Sequence, residues 1–326
     1  ISNSQLYFGT SSGLGRVDID GENKSFSGVM SEAMPEGGNP ALSIEKNIIT
    51  EEYIIAVSGV TTYYSASTDS NEPKGTGIAY SIDSGETWKF MAQPIVANPE
   101  DGLYYQTEWG GQIIKILAVT TAVNNVSYDL AIGGNYIYST SWAGGLQRFN
   151  YTDGTPEWEI IPLPMDDQSQ LICGDIDIGT YELNPKDPGD GGNHNHKGFS
   201  VFYADNTLWV GTANGLNKGV INDDCINWTH YSTVHGLSGN WVVGINSGLN
   251  NLWAISWSTS STESTGLSYS IDDGNSWKYV NFFTNSGIKV YNLEISEDRI
   301  YASTIDGLYV SEDGEHWELI PNFIDS

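Results

Sequence analysis

Basic residues are scarce in this chain of 326 residues: 13 Lys and Arg stand against 41 Asp and Glu, a formal net charge of −28. A surface of that balance repels phosphate backbones and anionic lipid, which argues against nucleic-acid binding and against membranes. It suits a protein kept soluble outside the cell, or one that binds cations. Cysteine is rarer still, at two residues, so a disulfide-dense scaffold and a cysteine zinc cage are both excluded. No apolar run is long enough to span a bilayer, and no stretch keeps helical periodicity. A Gly-x-Ser-x-Gly elbow and a phosphate loop are absent too. The first residue is Ile rather than Met, which fits a mature chain trimmed after export or a cloned fragment. The expected location is extracellular or the cell surface.

What the chain does have is a returning tryptophan behind an acidic glycine turn. Ser81-Ile82-Asp83-Ser84-Gly85-Glu86-Thr87-Trp88 recurs as Ser270-Ile271-Asp272-Asp273-Gly274-Asn275-Ser276-Trp277. One residue shorter, it returns as Ser311-Glu312-Asp313-Gly314-Glu315-His316-Trp317, and weaker copies end at Trp158 and Trp228. Before each turn come two strand-like runs, such as Leu208-Trp209-Val210-Gly211-Thr212 followed by Gly215-Leu216. A further apolar run lies upstream of most of them, over 126–132, 199–203, 241–245 and 290–295. Each closes on Gly, Asn or Asp residues that suit a hairpin.

A unit of four antiparallel strands that cannot bury both faces alone must stack on its neighbours, which predicts an all-β fold, a single β-propeller domain over 1–326. Six blades of about 54 residues fit the repeats, and seven of about 47 would need a further blade in the divergent stretches.

The Ser-x-Asp-x-Gly-x-x-Trp turn resembles the Asp box, or bacterial neuraminidase repeat, of sialidases, sortilin-type receptors, xyloglucanases and photosystem assembly propellers. The stretch His235 to Ile245, with Asn251-Leu252-Trp253, looks like the propeller repeats of two-component sensor ectodomains. Both resemblances imply the fold and leave activity open, because such repeats sit on propellers of unrelated function. The box implies a structural role for Asp83, Gly85 and Trp88, for Asp272, Gly274 and Trp277, and for Asp313, Gly314 and Trp317. Its aspartate accepts backbone N–H groups, its glycine takes a turn conformation and its tryptophan packs beneath.

Function is argued from where the extra length falls. In a propeller the connections between blades and between the second and third strands emerge on one face. Here that face holds 59–76, 92–123, 163–197 and 258–265. Insertions gathered on one face mark a binding face. Tyr63, Tyr64, Trp109, Trp142 and Trp257 belong to it, and such rings could stack on sugars or serve as protein hot spots. Asp187 and Asp190, in a glycine-rich stretch, could offer oxygens to Ca²⁺, while His194 and His196 could hold a transition metal. Cys173 and Cys225 could form a disulfide closing 52 residues (225 − 173), or remain two buried thiols.

An enzyme needs a constellation. Only Arg16, Arg148 and Arg299 are present, and Arg299 falls in a turn on the other face, so the arginine triad of a sialidase cannot assemble. A glycoside hydrolase or lyase would draw on Glu72, Glu108, Asp166, Asp167 or Glu263. The expectation is a non-catalytic propeller binding a glycan or protein partner. The alternatives are that hydrolase or lyase, and a structural module of a surface layer, filament or larger secreted assembly. Oligomeric state is not legible.

Overall fold

The computed structural model describes residues 5–19, 26–96, 99, 103–259 and 264–321. Strands take up 52% of the described residues. The described α-helix is confined to Asn281–Ser286, with three single 3₁₀ turns elsewhere. Sheet 1 holds Gln5–Thr10, Gly13–Asp18 and Phe26–Gly28, with Gln5–Thr10 at its edge. Sheet 2 holds Leu42–Lys46, Tyr53–Ser65, Ser70–Ser81 and Lys89–Met91. Sheet 3 holds Ser127–Gly133, Tyr136–Ser141, Gly145–Asn150 and Glu159–Ile161. Sheet 4 holds Gly198–Ala204, Thr207–Thr212, Gly215–Asn222 and Cys225–Tyr231. Sheet 5 holds Trp241–Gly248, Asn251–Trp257, Gly266–Ser270 and Lys278–Tyr279. Sheet 6 holds Val290–Ile295, Ile300–Thr304, Gly307–Ser311 and Glu318–Leu319. Each of sheets 2 to 6 is an antiparallel meander in chain order.

The hairpins close where the turn residues allow it. Asp205 and Asn206 have φ of 48° and 59°, Leu249 and Asn250 54° and 60°, and such left-handed pairs match the twist of the flanking strands. The first strands of sheets 2 to 6 touch in succession, so these five sheets pack side by side around their innermost strands. Apolar side chains of facing sheets fill the layers between them: Ile78, Tyr80, Ile137 and Phe149 between sheets 2 and 3, and Trp253, Ile255, Val290 and Ile300 between sheets 5 and 6.

Two expected loops are built structure instead. Residues 104–117 form a hairpin, Tyr104–Trp109 with Gln112–Leu117, and Glu182–Leu183 adds to it in parallel. This accessory sheet contributes Trp109, Ile114 and Ile116 to the core shared by sheets 3 and 4. Sheets 2 and 3 touch each other directly, so the accessory sheet does not stand between them. In the same connection Gln170–Leu171 joins the outer edge of sheet 4 as a fifth strand. The physical reason is apolar burial: Ile114, Ile116, Leu171, Ile176 and Leu183 are buried and would be costly to leave in water. The stretch 59–76 is likewise a ribbon, paired from Val60–Gly75 to Ser65–Ser70.

Candidate functional site

Sheets 2, 5 and 6 each carry an acidic turn between their third and fourth strands that is closed by its own hydrogen bonds. In sheet 5, Asp272 Oδ1 accepts the Ser276 N–H at 2.8 Å and the Ser270 hydroxyl at 2.8 Å. Ser270 Oγ accepts the Gly274 N–H at 2.8 Å, and the Trp277 indole N–H donates to the Gly274 carbonyl at 3.1 Å. The same bonds recur around Asp83, Gly85 and Trp88 and around Asp313, Gly314 and Trp317. Donors from Ser276 hold the Asp272 carboxyl down at about 2. Each turn also fastens a neighbour, for Gly85 lies against Tyr7 of sheet 1, Gly274 against Trp209 of sheet 4 and Gly314 against Trp253 of sheet 5. In sheet 4 the weaker Asp223-Asp224 turn meets sheet 3 through Tyr136 and Arg148.

The innermost strands carry the feature that matters most. Sheets 3, 4, 5 and 6 each break register one or two residues into that strand, at Tyr128, Phe199, Val243 and Tyr291. A bulge re-aims its side chain, and three of these four, Tyr128, Phe199 and Val243, face one recess, where they meet tryptophans from the same sheets. Phe199 stacks on Trp241 at 4.9 Å and lies 6.0 Å from Tyr128 and 5.6 Å from Trp142. Trp142 and Trp241 are 5.5 Å apart. Trp257 donates its indole N–H to Val290 O at 2.7 Å, and its ring carries the Lys289 ammonium 3.6 Å from its centre. Together these residues line a recess of about 410 Å³, within the usual size of small-ligand sites.

A second hollow of about 440 Å³ adjoins it, with Trp142 lining both. Its walls include Thr120, Asn124, Lys186, Asp187, Asp190 and Lys197. Asp187 is bound by Lys197 and lies 3.3 Å from His194, which holds its carboxyl below the ordinary range. Lys197 is itself buried, 4.6 Å from the centre of the Trp142 ring. A Ca²⁺ at Asp187 and Asp190 would therefore have to displace a buried ammonium. Among the described residues no group of three or more His, Cys, Asp and Glu comes together. His196 does not face a metal either: its Nδ1 accepts the Asn184 N–H at 3.0 Å and its Nε2 donates to Leu163 O at 3.0 Å. Burial pushes its pKa down to about 4.

Comparison with known proteins decides the architecture. The Cps50 (Swd1) β-propeller domain of Myceliophteria thermophila superimposes with a TM-score of 0.56 at 9% identity, covering 98% of this chain and 84% of that one. The fold is a β-propeller. YCF48 from Cyanidioschyzon merolae gives a TM-score of 0.48 at 13% identity over 98% and 82% of the two chains. The extracellular domain of BT3049, a hybrid two component system of B. thetaiotaomicron, gives 0.41 at 12% over 98% and 51%. No protein-family model matches the chain, and no curated protein does.

On this propeller the expected site residues part company. Trp142 and Trp257 lie together in the recess. Tyr63 and Tyr64 stand exposed on the ribbon of the second sheet, with Tyr64 bonded to Asp69 at 2.5 Å. Trp109 is a correction: it is buried in the accessory sheet, with the Arg148 guanidinium 5.4 Å from its ring, so it packs that sheet on the body. Cys173 and Cys225 are joined in a disulfide, Cα atoms 5.9 Å apart, tying the added fifth strand to the propeller. The expected carboxylates do not converge. Glu72 accepts Thr68 and Ser70 hydroxyls on the ribbon, and Asp166 accepts the His194 and Asn195 N–H groups. Glu108 lines a separate groove beside the turns at Asp153 and Asp223. Glu263 lies outside the described residues. Tyr128, Phe199, Trp241 and Lys289 were not singled out by sequence. The signal for the rings was faint: an aromatic residue within the first two positions of the inner strands of sheets 3 to 6, with none in the inner strand of sheet 2.

Proposed function

We propose that the protein is a six-bladed, non-catalytic propeller, secreted or displayed at the cell surface, that binds a glycan in the recess around Trp142, Trp241 and Trp257. The accessory sheet is read as an outer addition because the inner strands of sheets 2 to 6 follow one another without it. A disulfide favours an oxidising compartment. The observation that carries the reading is the recess itself, where five partly buried rings gather at one end. Flat, rigid rings offer sugar faces a large contact at small entropic cost. No Asp or Glu among the described residues lines it, and a glycosidase would need two across the scissile bond. A glycan array and hydrolysis screen tests this: wild type should retain a glycan unchanged, and Trp142→Ala and Trp241→Ala should weaken retention at least tenfold. Product formation, or retention indifferent to both changes, would overturn it.

A second reading, a module of a larger assembly, has one observation in its favour. Gln5–Thr10 has no strand on its inner side among the described residues, at the place where sheets 2 to 6 each have one. An unpaired edge is a template for another strand. Sedimentation of wild type against Leu6→Lys tests it: concentration-dependent association lost in the variant would favour assembly.

A further inference from the structure

We infer that the glycan is acidic and that its chain runs from the aromatic recess past Trp142 into the adjoining hollow. This rests on the glycan-binding reading above and adds the ligand's charge and length.

The charge follows from the lining. In a chain with 41 acidic residues, the described lining of the recess holds no carboxylate, and its one cationic side chain is Lys289. The ammonium of Lys289 rests over Trp257 at 3.6 Å and 5.5 Å from the centre of Tyr291. Among the described residues no carboxylate is paired with it. An ammonium held on ring faces keeps its N–H donors for an anion, and a carboxylate there gains a charge-assisted hydrogen bond. A cationic ligand would find the Trp142 and Trp257 rings already bearing Lys197 and Lys289.

The length follows from Trp142. This one residue lines both hollows, so a ligand filling both must be a chain crossing its ring. Sugar hydroxyls also have partners there. The indole N–H of Trp257 is donated to Val290 O, whereas those of Trp142 and Trp241 have no acceptor among the described residues. The adjoining hollow mixes apolar side chains with hydrogen-bonding ones, Thr120, Asn124 and Lys186 among them, and of its two carboxylates Asp187 is neutralised by Lys197, so Lys186 and Lys197 balance Asp187 and Asp190 along the continuation of the same chain.

The test is calorimetric titration of the intact protein with galacturonic acid oligomers of increasing length and with their methyl esters. Wild type should bind the acids about tenfold or more tighter than the esters, with affinity rising over the first few units and then levelling. Lys289→Gln should shrink that preference to about twofold or less while ester binding persists. Trp142→Ala should make long oligomers bind no better than short ones. Trp142→Phe, which keeps a ring, should recover part of the gain, and melting curves establish that each variant is folded. Esters bound as well as acids, affinity independent of length, or a preference untouched by Lys289→Gln would overturn this inference and leave the glycan reading standing. Binding of neither series would overturn this inference while the array result decides the glycan reading, and tight binding of a trimethyl-lysine peptide in their place would overturn both and reassign the recess to cations.

Discussion

At the scale of single residues, the repeats act as internal controls. Asp129 follows the bulge at Tyr128 and accepts the Val201 and Leu130 N–H groups, each at 2.9 Å. A small part of the residue reaches solvent, but its carboxylate sits among protein atoms, and desolvation pushes its pKa up to about 7. Asn292 holds the same place in the sixth sheet and accepts the Leu293 N–H at 2.9 Å without a charge. Between the unfolded carboxyl range near 4 and the folded value, the native state binds the extra proton, so stability falls as pH rises through that window. Asp129→Asn should therefore raise the melting temperature more at pH 8 than at pH 5, and an equal change at both would refute the linkage. Gly274 and Gly134 make a second comparison, both at positive φ, 75° and 57°. A Cβ on Gly274 would overlap the Trp209 ring, whereas around Gly134 it meets nothing within 4 Å. Gly274→Ala should cost more than about 2 kcal/mol in denaturant unfolding, and Gly134→Ala about 1 kcal/mol.

At the scale of elements, the connection from 163 to 197 is a strap rather than a loop. Its anchors include the Cys173–Cys225 disulfide, the short pairings of Gln170–Leu171 with sheet 4 and of Glu182–Leu183 with the accessory hairpin, and buried His196 between Asn184 and Leu163. The histidine is neutral in the fold, with its pKa near 4 against about 6.5 unfolded, so its contribution is complete above the unfolded value and lost as pH falls toward the folded one. Protection of the Asn184 amide, taken relative to the intrinsic exchange rate at each pH, should fall between about pH 6 and pH 4, ahead of the propeller core, and a uniform response would count against local release. Removing the disulfide by Cys173→Ser with Cys225→Ser should cost about 2–4 kcal/mol, given the 52-residue separation it closes. Thiol titration and unfolding of the double variant measure this directly. The strands of this strap were not legible in the sequence, because Gln170–Leu171 and Glu182–Leu183 are two residues each and carry no period.

At the scale of the whole molecule, the net charge of −28 makes the folded state repel itself. Added salt screens that repulsion, so the melting temperature should climb between low and physiological ionic strength, and a flat profile would place the charges too far apart to matter. The sequence by itself determined the strand pattern, the acidic turns and the propeller, since each rests on local alternation, turn chemistry and repetition. The Ser-Asp-Gly-Trp bonding is contained within one turn and needs no distant partner. Only the tertiary structure decided which aromatic residues meet. Trp109 and Trp142 look alike along the chain, yet one is sealed under Arg148 while the other joins Phe199 and Trp241 from two later sheets. That difference depends on where the bulges turn the inner strands and on which insertions find apolar surface to cover, and neither is a local property of the chain.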